Sequence, residues 1–387
     1  MRARIVVPVL AAVLVAGCGS SGDKGSGETG AEPVAGSLVS QRALANLDPA
    51  VTGAMSSATY IRYHSTTPAG QSIEVSGAVF LPAGQAPAGG WPLISLAHGT
   101  SGVVSACAPT NSPDLFGSAP AVAQLLARQH AVVMTNYQGL DGPGDAPYLD
   151  SASSGYNVLD AVRAAHAAGL PLAADTVLVG MSQGGRAAES AAETAKSYAP
   201  ELNIRGVVLL SPALELQFVN TLRDTELTPD QYLVLPYLVE AVRYGNPDYR
   251  YDQVIHGDLL NAAPRLESQC TGQITPADVA LAQAATPDSA RFVDQAAAQP
   301  FSDFQSRNNL PKSATTLPTY LARGDADQLV TTAWTTDAVA KMCALGTPVH
   351  DLVVPGGHDA PTAVADQWLG WIDDLFTGKP IESTCPH

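Results

Sequence analysis

From Tyr60 onward, short β-branched runs alternate with Ala-rich amphipathic stretches, and this alternation constrains the fold more than any other feature of the chain. Tyr60–Thr66 and Ser72–Leu81 read as two strands joined by the turn around Pro68-Ala69-Gly70. Strands follow at Leu93–Ala97, Ala131–Thr135, Thr176–Val179 and Gly206–Leu210, with helical spacing over Val122–Gln129, Gly155–Ala168 and Gly184–Tyr198 between them. The rhythm stops from about Pro212 to Leu310, where only helix-like stretches such as Gln231–Tyr244 and Pro276–Ala285 stand out. It resumes with Leu317–Ala322, Thr331–Leu345, Val349–Val354 and Ala363–Phe376. Strand–helix alternation predicts an α/β chain with a mainly parallel sheet flanked by helices. The interruption predicts a helical cap over 212–310, inserted above the C-terminal sheet edge where open α/β sheets bind ligands. The core is then 41–211 together with 311–387.

The chemical signal lies in Gly180-Met181-Ser182-Gln183-Gly184, a G-x-S-x-G between an apolar strand and a small-residue helix. A sharp strand-to-helix turn lifts a Ser hydroxyl clear of the sheet, and flanking glycines leave room for that turn. Ser182 is therefore the candidate nucleophile. It needs a base, and the base needs an orienting carboxylate, in the chain order Ser, acid, His. Of the late histidines, His350 falls inside a strand and His387 is the last residue. His358, in Pro355-Gly356-Gly357-His358-Asp359, follows a strand and precedes a helix, as a base leaning over the sheet edge requires. The acid belongs to the loop Arg323–Val330, with Asp327 preferred and Asp325 read as a turn-stabilising residue. The oxyanion hole needs two backbone N–H groups. Gln183 supplies one, and the loop His98-Gly99-Thr100-Ser101-Gly102 the other, through Thr100 with Ser101 as fallback. His98 precedes Ser182, the wrong order for the base, and reads as structural.

The chain's beginning is of a different kind. Arg2 and Arg4 precede an apolar stretch, Ile5–Val15, too short to span a bilayer, which ends in Val15-Ala16-Gly17-Cys18. Residues 1–17 read as a lipoprotein signal peptide, Cys18 as the lipidated residue, and the Gly- and Ser-rich stretch 18–40 as a flexible tether. The expected location is the bacterial cell envelope, anchored by lipid to the outer face of the cytoplasmic membrane. Formal charge is −16, and loss of Arg2 and Arg4 takes it to −18, which argues against nucleic-acid partners. Four cysteines remain beyond Cys18: Cys107, Cys270, Cys343 and Cys385. An even number in an exported chain suggests two disulfides, in any of three connectivities, and no spacing suits a zinc site.

Together these residues resemble the α/β-hydrolase superfamily and, within it, the lid-bearing lipase A type of the secretory lipase family. The resemblance runs from about Leu47 to the C-terminus. It is carried by His98-Gly99-Thr100, Thr135–Leu140 with Pro147-Tyr148-Leu149, Gly180–Gly185, Gly324–Val330 and Gly357-His358. It implies lipase or carboxylesterase activity on a small-molecule or lipid ester without a cofactor. It also implies a helical cap and two disulfides, Cys107 with Cys270 and Cys343 with Cys385. The chain departs from the family at Asn136, where Asp is common, and at Gly139-Leu140-Asp141, where Gly-Leu-Gly is common; both departures are expected to bear on the acyl pocket. In the cap, Tyr232–Leu238 is apolar enough to line that pocket or to pack the cap onto the core. Glu215, Asp224, Glu226, Asp230 and Glu240 leave open a serine aminopeptidase of the same fold, whose cap must hold a substrate amine. A non-catalytic binding lipoprotein is the other rival, and the full Ser, Asp and His set speaks against it.

Overall fold

The structure, a computed structural model, describes residues 33–386; the expected signal peptide, Cys18 and His387 lie outside the described residues. A nine-stranded sheet forms the centre, in the order β1-β2-β3-β5-β4-β6-β7-β8-β9. Its strands are β1 (Leu38–Ala43), β2 (Met55–Thr66), β3 (Ser72–Pro82), β4 (Trp91–Ala97), β5 (Ala131–Thr135), β6 (Leu172–Met181), β7 (Asn203–Leu210), β8 (Thr319–Gly324) and β9 (Val349–Val354). The first three are antiparallel, and β3 meets β5 antiparallel. The remaining six run parallel. This is the expected mainly parallel sheet, and the architecture is the α/β-hydrolase fold.

Eleven α-helices accompany the sheet among the described residues. One face is covered by α1 (Pro49–Ala54), α2 (Ala119–Ala127) and α11 (Ala365–Phe376). The other is covered by α3 (Ser151–Ala167), α4 (Gln183–Tyr198) and α10 (Thr332–Leu345). Five alanines of α4, from Ala187 to Ala195, are buried, so this helix lies close against the sheet. Between β7 and β8 stand α5 (Phe218–Asp224), α6 (Pro229–Gly245), α7 (Gly257–Glu267), α8 (Pro276–Ala284) and α9 (Gln295–Asn308). They share an apolar cluster of their own, which Tyr148, Leu149, Val330 and Trp334 of the core join from below.

One boundary is corrected. The tether expected over 18–40 runs into β1, which pairs with β2 from Leu38. Five of its six residues are exposed, so it carries no alternating burial from which a strand could be read.

Three ties hold the chain together, two of them on the cap. Both cysteine pairs are bonded as disulfides, Cys107–Cys270 and Cys343–Cys385. The first joins the segment after the β4 loop to the α7–α8 connection. The second holds the C-terminal segment on α10. In the chain-entropy account each is worth on the order of 4–5 kcal/mol. The third tie is Arg186, 1% exposed. Its Nε donates to Ala213 O at 2.6 Å and its Nη2 to Leu214 O at 3.0 Å, while Nη1 reaches Asn308 O and, at 3.2 Å, Ser151 Oγ. One guanidinium thus grips the chain where it enters the cap and where it leaves.

Candidate active site

Ser182 sits between β6 and α4 with φ 55° and ψ −117°, a conformation that costs energy and is held by its surroundings. Its N–H donates to Leu210 O at 2.9 Å, and its C=O accepts from Ala213 N at 3.0 Å. The turn is possible because glycine flanks it. A Cβ on Gly180 would lie 2.0 Å from Gly184 O, and one on Gly184 would lie 1.9 Å from Ala97 O. The second contact brings the start of α4 against the end of β4, where the His98–Gly102 loop begins. A Cβ on Gly99 would stand 3.9 Å from Ser182 Cβ, so this loop borders the serine.

The acid and histidine loops meet by the same means. A Cβ on Gly324 would lie 2.1 Å from Gly357 O, so only glycine lets the end of β8 touch the loop after β9. His358 Nδ1 donates to Asp327 Oδ2 at 2.7 Å. Asp327, 6% exposed, also accepts at Oδ1 from the N–H groups of Leu329 and Val330, at 2.9 and 3.0 Å. Those bonds fix the carboxylate, and the carboxylate fixes the ring. His358 Nε2 is buried without a hydrogen-bond partner. Asp325 instead accepts from Gly356 N at 2.9 Å and braces the neighbouring loop.

Ser182, His358, Thr100 and Gln183 line one cavity of about 380 Å³. Its walls are largely apolar: Phe116 and Met181 from the core, Leu216, Phe218, Val234 and Leu238 from the cap side. No carboxylate is among the lining residues. The stretch Tyr232–Leu238 divides its work, Val234 and Leu238 facing the cavity while Tyr232, Leu235 and Tyr237 are buried in the cap's cluster. Among the described residues, no group of three or more His, Cys, Asp or Glu could hold a metal.

Some expected residues stand elsewhere. His350 lies on β9 with its ring 5.2 Å from that of Tyr320. His98 is 2% exposed, and burial pushes its imidazole down to about 4, so it is neutral at ordinary pH. Its Nδ1 donates to Gly99 O at 2.6 Å and its C=O accepts from Tyr137 OH at 3.0 Å. The two family departures do not touch the cavity. Asn136 donates to Ser76 Oγ and Thr110 Oγ1, at 2.8 and 2.7 Å. Asp141 accepts from Tyr60 OH at 2.6 Å and Ser76 Oγ at 3.1 Å. Both tie loops to the antiparallel strands.

The sequence profile of the secretory lipase family matches residues 118–384. The chain belongs to the secretory lipase family. A Mycobacterium tuberculosis protein named "probable inactive lipase" is 29% identical over 350 residues, 84% of this chain and 74% of its own. The solved structure of Candida antarctica lipase A in its closed state is similar at a TM-score of 0.73 and 18% identity, over 91% of this chain and 85% of that one. The rice cell wall degrading esterase LipA from Xanthomonas oryzae is similar at 0.67 and 21%, over 90% and 100%. This secretory lipase family chain therefore shares its fold with both.

Sequence reasoning missed three residues around the site. Tyr148 lines the cavity, and its hydroxyl is 2.8 Å from Thr100 Oγ1. Thr271, from the cap, also lines it and donates to Thr100 O at 2.5 Å. Arg186 clasps the cap's two ends. Only Tyr148 lay in a segment that the family resemblance had marked.

Proposed function

We propose that this chain is an exported serine ester hydrolase acting on carboxylic esters with an apolar acyl group. Ser182 Oγ attacks the ester carbonyl, and His358 Nε2 takes its proton and returns it to the leaving alcohol. Asp327 holds the imidazolium that forms. The N–H groups of Gln183 and Thr100 receive the oxyanion of the tetrahedral intermediate. Water, deprotonated by the same histidine, then attacks the acyl-enzyme; the histidine returns that proton to Ser182 Oγ as the acyl bond breaks, and the carboxylic acid leaves.

The observation that carries this reading is His358 bonded to Asp327 through Nδ1, with its Nε2 unpartnered, in a cavity it shares with Ser182. The apolar walls favour an ester over a peptide amine. An aminopeptidase needs a carboxylate at the pocket, and none of the five cap carboxylates lines it. Glu215 pairs with Lys341, and Glu240 with Arg243 and Tyr251. The name of the M. tuberculosis relative favours a second reading, a hydrolase fold without turnover. A panel of nitrophenyl esters and aminoacyl nitroanilides separates all three. Ester cleavage lost in Ser182→Ala supports the proposal. Nitroanilide cleavage favours the peptidase, and inertness toward both favours the second reading. The family and the two disulfides support export to an oxidising compartment. Lipid attachment at Cys18 is tested by Cys18→Ser, which should move the protein from membrane to soluble fractions.

A further inference from the structure

Thr100 is held at both of its polar ends. Its C=O accepts from Thr271 Oγ1 at 2.5 Å, and the next carbonyl, Ser101 O, accepts from Thr271 N at 2.9 Å. Thr271 is itself fixed, because it follows Cys270, which is bonded to Cys107. The loop beside Ser182 is thus braced from the cap. At its other end, Thr100 Oγ1 lies 2.8 Å from Tyr148 OH. Tyr148 is 6% exposed and packs edge-to-face with Tyr237 of the cap, 6.1 Å between centroids.

Two hydroxyl groups carry two protons, and the bond between them uses one. No other hydrogen bond of either hydroxyl is present among the described residues. One O–H therefore remains unspent, on a pair that lines the cavity together with Ser182 and His358. Burial pushes the Tyr148 phenol up to about 12, so it keeps its proton throughout the working range of a histidine base.

We infer that the Thr100 hydroxyl is a third donor to the oxyanion, beside the N–H groups of Thr100 and Gln183, and that Tyr148 is its positioning residue. Tyr148 donates to Thr100 Oγ1, which turns the Thr100 proton toward the cavity. A donor that itself accepts a bond is polarised and stronger. It is set before the substrate arrives, so little reorganisation is needed as charge develops on the carbonyl oxygen. This inference rests on the ester-hydrolase reading and extends its oxyanion hole from backbone to side chain.

The test compares Thr100→Val, Thr100→Ser, Tyr148→Phe and the Thr100→Val/Tyr148→Phe double variant with Ser182→Ala, on one nitrophenyl ester. Thr100→Val keeps the backbone N–H and should lower kcat by on the order of 10²-fold with KM little changed. Thr100→Ser should restore most of it. Tyr148→Phe should cost about tenfold in kcat, and the double variant should be no worse than Thr100→Val, since both act through one proton. Affinity for a boronic acid, which forms a tetrahedral adduct on the serine, should fall in parallel with kcat. Melting curves check the fold, and Tyr148→Phe carries the test if Thr100→Val does not fold. Wild-type kcat and boronate affinity in Thr100→Val or Tyr148→Phe, with Ser182→Ala inactive, overturns this inference alone. Full activity in Ser182→Ala overturns the ester-hydrolase reading beneath it.

Discussion

The sheet edge and the cap border the same cavity by different means. At the edge, backbone packs on backbone. Gly180, Gly184 and Gly324 admit contacts that a Cβ would bring to about 2 Å, at 2.0, 1.9 and 2.1 Å. Ser182, Asp327 and His358 are placed by those contacts and by hydrogen bonds to main-chain groups. The cap meets the cavity through side chains on helices, Val234, Leu238 and Phe218 among them, above an apolar cluster of its own. Geometry set by the backbone does not yield to small changes, whereas an apolar wall re-forms around a different side chain. Chemistry should therefore be fixed at the edge and chain selectivity adjustable in the cap.

The largest test of that contrast lies within the edge. Ser182→Ala and His358→Ala should each lower kcat by several orders of magnitude, and the double variant should be little worse than either. Asp327→Asn should cost on the order of 10³–10⁴. Asp325→Asn, which loses only a loop brace, should cost little. Steady-state rates on one ester decide between them, and a reversed order of the two aspartates would move the acid.

Arg186 is where edge and cap are joined. Arg186→Leu leaves the carbonyls of Ala213, Leu214 and Asn308 without this donor in a buried place. Leu214 O keeps the Leu310 N–H and Asn308 O keeps the Ser151 hydroxyl, so Ala213 O alone is orphaned. The loss should be about 1–3 kcal/mol, read as a lower denaturation midpoint. A midpoint unchanged from wild type would mean that the cap is held elsewhere.

In the cap, Leu238→Trp should fill the far side of the cavity and leave the backbone near Ser182 alone. The ratio of kcat/KM for long over short acyl esters should fall by about tenfold or more. An unchanged ratio would place the acyl chain away from Leu238.

The smallest effect concerns Glu189 on α4, fully buried with neither carboxylate oxygen bonded. Burial, with Glu193 nearby, pushes its carboxyl up to about 8. Because the folded value lies above the unfolded one, its contribution to stability is complete below about pH 4 and is lost as pH rises through 8. Glu189→Gln should flatten that decline and raise Tm above pH 8, by on the order of 2–4 °C per kcal/mol recovered. Equal Tm profiles for the two proteins would refute it.

Most of this was legible where the chain repeats a physical pattern. β5 and β9 have the bounds that their apolar runs predict, and the inserted helical block stands out by its missing strands. α7 and α9 each carry an internal proline, Pro264 and Pro300, as α6 does at Pro236, where the apolar run Tyr232–Leu238 still marks the helix. β1 was hidden because an exposed edge strand of mixed residues has no period to detect. Ser182, Asp327 and His358 could be named because a strand-to-helix turn and two loop positions restrict which residues can meet. Tyr148, Thr271 and Arg186 could not, because each acts through a partner far along the chain. Arg186 and Asn308, for example, are 122 residues apart.

The central claim is that the edge holds a serine activated by His358. The most direct measurement is the site and stoichiometry of fluorophosphonate labelling, followed by peptide mass spectrometry. The account predicts one adduct per chain on the peptide containing Ser182, absent in Ser182→Ala and greatly slowed in His358→Ala. Folded wild-type protein that takes no label, or takes it at another residue, would contradict the account.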